Sequence, residues 1–291
     1  MSVEHIPVML REVIEMLSPK QDGVYIDATV GLGGHAEGIL RHAERCALIG
    51  IDRDEEALET ARKRLSGYGS VYLVRDSFSN MKTVVGSLGF DRVDGILIDA
   101  GVSTLHLKAE GRGFSFLRDE PLDMRMDQRQ TLTAQEVVNR YPEPKLAAVI
   151  YEYGEERFSR KIAKAIVHAR AKKQIRSCKE LAGIIEKAVG GRGRIHPATR
   201  TFQAIRIEVN RELEELSAAV ESGAGLLKTG GRFCALSYHS LEDRIIKNAF
   251  KKLAKDGLFN IITKKPLGPG PEEKRSNPSS RSAKLRVGEK I

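Results

Sequence analysis

An apolar strand that runs directly into a glycine-rich turn and a helix is the feature that most constrains the fold of this chain. The stretch reads Tyr25-Ile26-Asp27-Ala28-Thr29-Val30-Gly31-Leu32-Gly33-Gly34-His35. Glycine permits a positive φ and carries no Cβ, so the backbone can come close to a ligand, and the first N–H groups of the next helix face the bound molecule. The stretch therefore predicts a nucleotide-like ligand at the end of an α/β strand.

A second predicted strand, residues 46–52, ends on the carboxylate of Asp52. An acidic residue about twenty positions after the glycines accepts ribose hydroxyls in α/β nucleotide sites. The turn reads G-L-G-G-H rather than G-x-G-x-x-G, so the pyrophosphate-binding fingerprint is not met. Asp27 would repel a pyrophosphate but suits the ammonium of a methionine moiety, which favours S-adenosylmethionine over NAD. A purely structural glycine turn and an NAD-linked oxidoreductase stay open as alternatives.

Charge is unevenly distributed along the chain, whose formal net charge is +9. Residues 156–200 carry 13 Lys and Arg against 3 Asp and Glu, and residues 241–291 carry 13 against 6, so the remainder is acidic. Two basic blocks on an acidic body indicate a surface that grips a polyanion, because each neutralised phosphate releases counterions. Solvated helix faces without a partner are the alternative.

The chain lacks the features of membrane and disulfide-bonded proteins. No apolar run approaches the roughly 18 residues of a membrane span, and the N-terminus has no basic targeting region. The three cysteines are far apart and form no C-x-x-C pair, which indicates reduced thiols rather than disulfides or zinc ligands. We therefore expect a soluble cytoplasmic protein without a membrane partner.

Strand-like and helix-like segments alternate through the first hundred residues. Residues 24–30, 46–52, 71–76 and 95–100 read as strands, which predicts βαβ units and a mostly parallel α/β sheet. Asp99 lies near the end of the fourth strand. Because ligands bind beyond the carboxyl ends of parallel strands, Asp27, Asp52 and Asp99 are expected on one rim.

The alternation stops at about residue 108, where helical patterns begin. We predict a sheet core in two parts, 1–107 and 199–291, with a helical domain inserted at 108–198. A single helix from about Thr201 to Ala219 is expected to return the chain to the sheet, and residues 230–238 supply another strand. The basic segment 266–282, rich in Pro, Gly and Ser, predicts a loop.

Several blocks together resemble the RsmH (MraW) family of small-subunit ribosomal RNA cytosine-N4 methyltransferases, over nearly the whole chain. The matching blocks are His5–Leu10, Asp27–His35, Asp99–Ser103, Arg112–Phe116, Leu122–Asp127, Thr199–Leu213, Ser237–Arg244, Asn277-Pro278 and Arg281–Arg286.

This resemblance implies a class I (Rossmann-like) S-adenosylmethionine methyltransferase sheet domain with an inserted helical domain. It implies methylation of the N4 amine of a cytidine in the decoding centre of 16S ribosomal RNA, position 1402 in the usual bacterial numbering, within the small ribosomal subunit. A homodimer is left open, and no metal is expected.

The resemblance also implies a set of cofactor contacts. Carried over position by position, they fall on Gly33, Gly34, His35, Asp52, Phe78, Asp99 and His106, and the glycine turn adds Asp27 and Gly31. The chain departs from the family locally, with His106 in place of Gln, Ala100 in place of Leu and Tyr238 in place of Phe.

Three residues are candidates for catalysis on an exocyclic amine. Such an amine is a poor nucleophile, so the site needs an acceptor for one of its hydrogens and a pocket for the extruded base. Asp99 is the candidate acceptor, and Tyr238 and His239 could stack on the base or hydrogen-bond to it. A capping box between Ser240 and Asp243 would leave His239 free.

Five residues are candidates for RNA contact. Arg112 and Phe114 could present a cation and an aromatic face to a single strand, or could instead anchor the inserted domain. Arg192, Arg194 and Arg200 are candidates for phosphate contacts, since they lie in or beside a basic glycine-rich loop.

Overall fold

The computed structural model describes residues 6–101, 111–190 and 195–291. Its strands are β1 (Val24–Asp27), β2 (Ala47–Asp52), β3 (Val71–Arg75), β4 (Val93–Asp99), β5 (Leu227–Ser237), β6 (Phe259–Ile261) and β7 (Lys284–Lys290). Its α-helices are α1 (Leu10–Leu17), α2 (Gly34–His42), α3 (Glu55–Leu65), α4 (Met81–Ser87), α5 (Ala134–Arg140), α6 (Glu143–Gly154), α7 (Ser159–Lys172), α8 (Cys178–Val189), α9 (Ala198–Asn210), α10 (Glu212–Leu226), α11 (Ser240–Lys255) and α12 (Pro271–Ser276).

The chain forms two compact units. The first combines Met1–Gly101 with Leu213–Ile291, and the second is Val102–Glu212. The first unit contains a seven-stranded sheet in the order β3-β2-β1-β4-β5-β7-β6. Strands β1 to β5 pair in parallel, whereas β7 runs antiparallel to both β5 and β6. This order, with its reversed seventh strand, is that of class I (Rossmann-like) methyltransferases.

The sheet is covered on both faces, which explains why its central strands are almost continuously apolar. One face packs Ile26, Ile49, Ile96 and Phe233 against helices α4, α10 and α11. The other face packs residues such as Leu48 against α1, α2 and α3.

No helix in the described ranges is both long and apolar enough to cross a bilayer.

The second unit is built from helices α5 to α9 around its own apolar core. That core includes Leu146, Ile162, Ile166, Leu181 and Ile205, all with no exposed surface. Helix α9 belongs to this unit because its apolar face packs here, so the helical unit extends to residue 212 rather than ending at 198.

The predicted helix from Thr201 to Ala219 is two helices. It breaks at Arg211, which has a left-handed φ of 52° and caps the C-terminus of α9. The amide of Asn210 fixes the break, since it bonds the backbone of Met124 and Met126 at 2.8 Å each. The predicted loop 266–282 also contains α12 and a 3₁₀ helix at Pro278–Ser282.

Gly113 packs directly against the backbone of Pro121 and Asp123, and this contact can be tested by substitution. Its φ is +70°, and a Cβ there would overlap the carbonyl oxygen of Pro121 and approach the backbone nitrogen of Asp123 to 2.9 Å. We expect Gly113→Ala to destabilise this unit by more than about 2 kcal/mol, from backbone strain and steric overlap together. Calorimetric unfolding of the full chain measures the effect.

Gly111→Ala is the matched control for this prediction. Gly111 has a φ of +78°, but a Cβ added there would meet no described atom within 4 Å. The Gly111→Ala substitution should therefore cost only the strain of a left-handed alanine, about 1–2 kcal/mol. Equal melting temperatures for the two variants would contradict the proposed role of the Pro121 contact.

Candidate functional site

Three carboxylates lie at the carboxyl ends of adjacent parallel strands, as the sequence predicts. Asp27 ends β1, Asp52 ends β2 and Asp99 ends β4, and β1 pairs in parallel with both neighbours. The three are close enough for the charges of Asp99 and Asp52 to raise the pKa of Asp27. The rim is therefore strongly acidic and suits a cationic ligand.

The loop after β1 bonds to both neighbouring strands. The Ala28 N–H donates to the Leu97 carbonyl and the Val30 N–H to the Ile51 carbonyl, each at 2.9 Å. The Thr29 hydroxyl accepts a 2.7 Å bond from the Asp99 N–H. These bonds hold the glycine turn in place over the ends of the strands.

The three glycines of the turn do different things. Gly31 has a φ of +49°, and a Cβ there would meet no described atom closer than 3.8 Å, so the space beside it can take a ligand. A Cβ on Gly33 would touch Ala61 and Leu65 of α3 at 3.4–3.5 Å, and one on Gly34 would press on Pro7 at 2.5 Å. Gly33 and Gly34 thus allow the turn to pack closely against neighbouring residues, whereas Gly31 leaves space beside the turn for a ligand.

Asp52 braces this turn through both of its carboxylate oxygens. Its Oδ2 accepts the Gly31 N–H and its Oδ1 accepts the Asp54 N–H, both at 2.9 Å. A carboxylate oxygen can accept more than one hydrogen bond, so these contacts are compatible with a bond from a ribose hydroxyl. Phe78 follows β3 in a short 3₁₀ helix, with the Arg53 guanidinium 5.6 Å from its ring centroid.

Asp27 is a buried carboxyl with an unused oxygen. It is 1% exposed, and its Oδ1 accepts a long 3.3 Å bond from the Thr29 N–H. Its Oδ2 has no hydrogen-bond partner within the described residues. Burial raises the pKa of Asp27 to about 7, with His35 partly opposing the rise.

Asp99 and Tyr238 form a direct pair, as expected for residues on one rim. The Tyr238 hydroxyl donates to Asp99 Oδ1 at 2.6 Å. The other carboxyl oxygen, Oδ2, lies 3.7 Å from Nδ1 of His35. Burial raises the pKa of Asp99, while His35 and the Tyr238 hydrogen bond act in the opposite direction.

His35 is held in one orientation. It is 6% exposed, and its Nε2 lies 2.9 Å from the Val8 carbonyl, which can only accept, so Nε2 carries a hydrogen. Nδ1 therefore faces Asp99, whose Oδ2 lies 3.7 Å away.

The capping box of α11 differs from the expected one between Ser240 and Asp243, and only Nε2 of His239 is left without a hydrogen-bond partner within the described residues. His239 is itself the N-cap of α11, and its partner in the capping box is Glu242. Glu242 Oε2 accepts the N–H groups of Tyr238 at 2.8 Å and His239 at 3.3 Å. Asp243 instead accepts from Arg286 Nε at 2.7 Å and Lys284 Nζ at 3.2 Å.

Glu242 is the site residue that sequence reasoning missed. It is 2% exposed, and its Oε1 lies 3.1 Å from Nε2 of His239. The sequence does contain a signal for it, because Glu242 stands three residues after His239, which is the spacing of a capping box. Glu242 fixes the backbone of Tyr238 and thereby the direction of the phenol toward Asp99.

Two of the candidate RNA contacts are buried. Arg112 is 6% exposed and donates to the carbonyls of Arg125 and Met126, and Phe114 is 8% exposed in the helical core. Both stabilise the helical unit, so we do not assign them to RNA.

Arg200, another candidate for RNA contact, is half-exposed and donates to the Glu155 carbonyl at 3.3 Å. His106, Arg192 and Arg194 lie outside the described residues.

Comparison with known proteins decides the family. The sequence matches the MraW methylase family over residues 2–291. The chain belongs to this family. Ribosomal RNA small subunit methyltransferase H of Persephonella marina is 52% identical over 99% of this chain and 100% of that protein, and its Clostridioides difficile namesake is 45% identical over 100% of both chains.

Solved structures of other methyltransferases are more distant in sequence. A putative rRNA-methylase from Clostridium thermocellum aligns with a TM-score of 0.48 at 13% identity, over 99% of this chain and 100% of that one. A putative methyltransferase from Streptococcus mutans in complex with SAH aligns with a TM-score of 0.48 at 13% identity, with the same coverage.

As a member of the MraW methylase family, the chain is a methyltransferase that uses S-adenosylmethionine. The rim fits this cofactor on two observations within the described residues, the unused oxygen of buried Asp27 and the open space beside Gly31. Asp27 would hold the ammonium group and Asp52 the ribose hydroxyls. When bound, the cofactor supplies an electrophilic methyl group on a sulfonium.

Across the ranges that the structure describes, no group of three or more His, Cys, Asp or Glu is arranged to hold a metal ion.

The raised pKa of Asp27 predicts that cofactor affinity depends on pH. Only the ionised carboxylate attracts an ammonium. Because the pKa of Asp27 is about 7, the carboxyl is protonated at lower pH and must lose that proton before the ammonium can bind. Affinity for S-adenosylmethionine should therefore fall roughly tenfold or more between pH 7.5 and pH 5.5. Titration calorimetry at several pH values measures this.

Asp27→Asn should bind the cofactor weakly and with little change over the same pH range. Asp94→Asn is the control, because Asp94 also accepts a backbone N–H, from Val24, but lies at the start of β4. It should keep the wild-type pH dependence. A pH-independent affinity of the wild-type protein would remove Asp27 from the cofactor site.

Proposed function

We propose that this enzyme methylates the N4 amine of a cytidine in the decoding centre of 16S ribosomal RNA, at position 1402. Relatives named for ribosomal RNA small subunit methylation, 45–52% identical over the whole chain, support the RNA and the subunit. The observation that carries the amine chemistry is the hydrogen-bonded, partly buried pair of Asp99 and Tyr238 at the end of β4.

Asp99 is the proposed acceptor for a hydrogen of the amine. Its Oδ1 is occupied by the Tyr238 hydroxyl, which leaves Oδ2 to accept a hydrogen bond from the substrate. Accepting that bond increases electron density on the amine nitrogen as it becomes a nucleophile. Once the nitrogen is methylated, its surplus proton passes to Oδ2, where His35 Nδ1 lies 3.7 Å away.

Tyr238 and Glu242 are proposed positioning residues for Asp99. The phenol fixes one carboxyl oxygen, and Glu242 fixes the backbone from which the phenol extends. His239 is held by the cap of α11, so we assign it to positioning rather than to proton transfer.

The cysteines argue against methylation of a pyrimidine ring carbon through a covalent thiolate adduct. That route requires an accessible thiolate. Cys46, Cys178 and Cys234 are each at most 1% exposed, and burial raises their pKa to about 11, 12 and 12. Carboxylate chemistry at an exocyclic amine fits the site better.

The test incubates the full chain with methyl-labelled S-adenosylmethionine and small ribosomal subunits that lack the modification. The RNA is then digested and the labelled nucleoside identified. We expect label in N4-methylcytidine and in one RNA position. Label in a ring-methylated pyrimidine or in another RNA position, or no label at all, would refute the proposal.

Tyr238→Phe tests the role of Asp99. The Tyr238 hydrogen bond stabilises the ionised carboxylate, so its loss should raise the pKa of Asp99. Activity needs ionised Asp99, and therefore the acid limb of kcat/KM should move to higher pH, by about one unit for one hydrogen bond to a charge.

Tyr68→Phe is the matched control, since its hydroxyl accepts a long 3.4 Å bond from exposed Arg41. Its pH profile should match that of the wild-type protein. If Tyr238→Phe also left the acid limb unmoved, Asp99 would not be the group whose ionisation controls the reaction.

A further inference from the structure

Helix α7 of the helical unit has an exposed face that carries no negative charge. Its sequence, SRKIAKAIVHARAK, contains no Asp or Glu. Lys161, Lys164, His168 and Lys172 are exposed, and we call these four residues the α7 stripe. Arg160, also exposed, lies beside it.

The α7 stripe has the spacing of one helix face. Its members follow one another after three, four and four residues, so their side chains lie one above another along the helix. At 1.5 Å per residue the stripe is about 16 Å long. A nucleic-acid strand of that length presents several phosphates, at an axial rise of about 3.4 Å per nucleotide in a duplex.

The lysines of the stripe have no acidic partners within the described residues, unlike many basic side chains nearby. In the same unit, Arg125 pairs with Asp123 at 2.7 Å and Arg206 with Glu212 at 2.9 Å. Lys173, immediately after α7, pairs with Glu180 at 3.6 Å. Because the lysines of the stripe form no such pair in the described part of the chain, their charges are available to an external anion.

The opposite face of α7 decides which kind of anionic partner fits. Ile162, Ala163 and Ile166 have no exposed surface and belong to the core of the helical unit. A helix that binds in a membrane interface inserts its apolar face into the lipid, and that face is not available here. Among the described residues, α7 has no large exposed apolar side chain, and a ladder of cations of this kind suits a phosphate backbone better.

We infer that the α7 stripe binds the sugar–phosphate backbone of the substrate ribosomal RNA. This inference rests on the proposed function and adds to it a binding surface on the helical unit. Phosphate contacts of this kind position the RNA without reading its sequence. The stripe therefore contributes to affinity and to KM, and leaves the chemical step unchanged.

The experiment replaces three lysines of the stripe with glutamine, as Lys161→Gln, Lys164→Gln and Lys172→Gln in one full-length chain. Binding to small ribosomal subunits that lack the modification is measured at several salt concentrations, together with kcat, KM and cofactor affinity. The control variant, Lys20→Gln, Lys63→Gln and Lys82→Gln, removes three exposed lysines of the sheet unit. The two variants have the same net charge.

We expect the stripe variant to bind subunits roughly 10- to 100-fold more weakly, with a salt slope smaller by roughly two to three units. Its KM for subunits should rise by a similar factor, while kcat and cofactor affinity stay as in the wild-type protein. The control variant should keep most of the wild-type affinity and slope.

Three outcomes would overturn the inference. A stripe variant indistinguishable from the control would show that α7 does not contact RNA while leaving the proposed function intact. Loss of binding to phosphatidylserine vesicles with an unchanged RNA salt slope would assign the stripe to a membrane instead. A wild-type protein that neither binds nor methylates the subunits would refute the proposed function, and this inference with it.

Discussion

Parallel pairing of β1 with β2 on one side and β4 on the other is the constraint on which the site depends. Three strands that run the same way must end at the same edge, and each of these ends on a carboxylate. The loop after β1 then bonds to both neighbours, which places the glycine turn over the acidic edge. The proposed cofactor contacts of Asp27 and Asp52 and the proposed amine contact of Asp99 thus arise from one feature of the sheet.

Burial gives these carboxylates their separate properties. Asp27 is buried, and one of its oxygens is unused within the described residues, so it holds a proton near neutral pH until a cation replaces it. Asp99 is only partly buried, which raises its pKa, and the Tyr238 hydroxyl and His35 favour its ionised form. One acid is therefore suited to bind a positive group and the other to accept a hydrogen, although both end neighbouring strands.

The sequence predicted the fold class and the acidic rim because both follow from local pattern and chain direction. It did not predict which glycine has open space beside it, since Gly31 and Gly33 differ only in what lies near them in space. The sequence led to the wrong capping residues for α11. His239 is an uncommon N-cap, and Asp243 accepts a hydrogen bond from Arg286 instead of taking part in the cap. The burial of Arg112 likewise depends on carbonyls that come close only after folding.

The sequence by itself determined the alternation of strands and helices, the carboxylate after each central strand and the basic character of the helical segment, because these are properties of residue order and charge. Only the tertiary structure decided which polar groups are buried, which are paired and which remain available. The reason is that desolvation and hydrogen bonding depend on neighbours far apart in the chain, as Asp99 and Tyr238 are. Within the described ranges, the same reason separates the unpaired lysines of α7 from the paired arginines of the same unit.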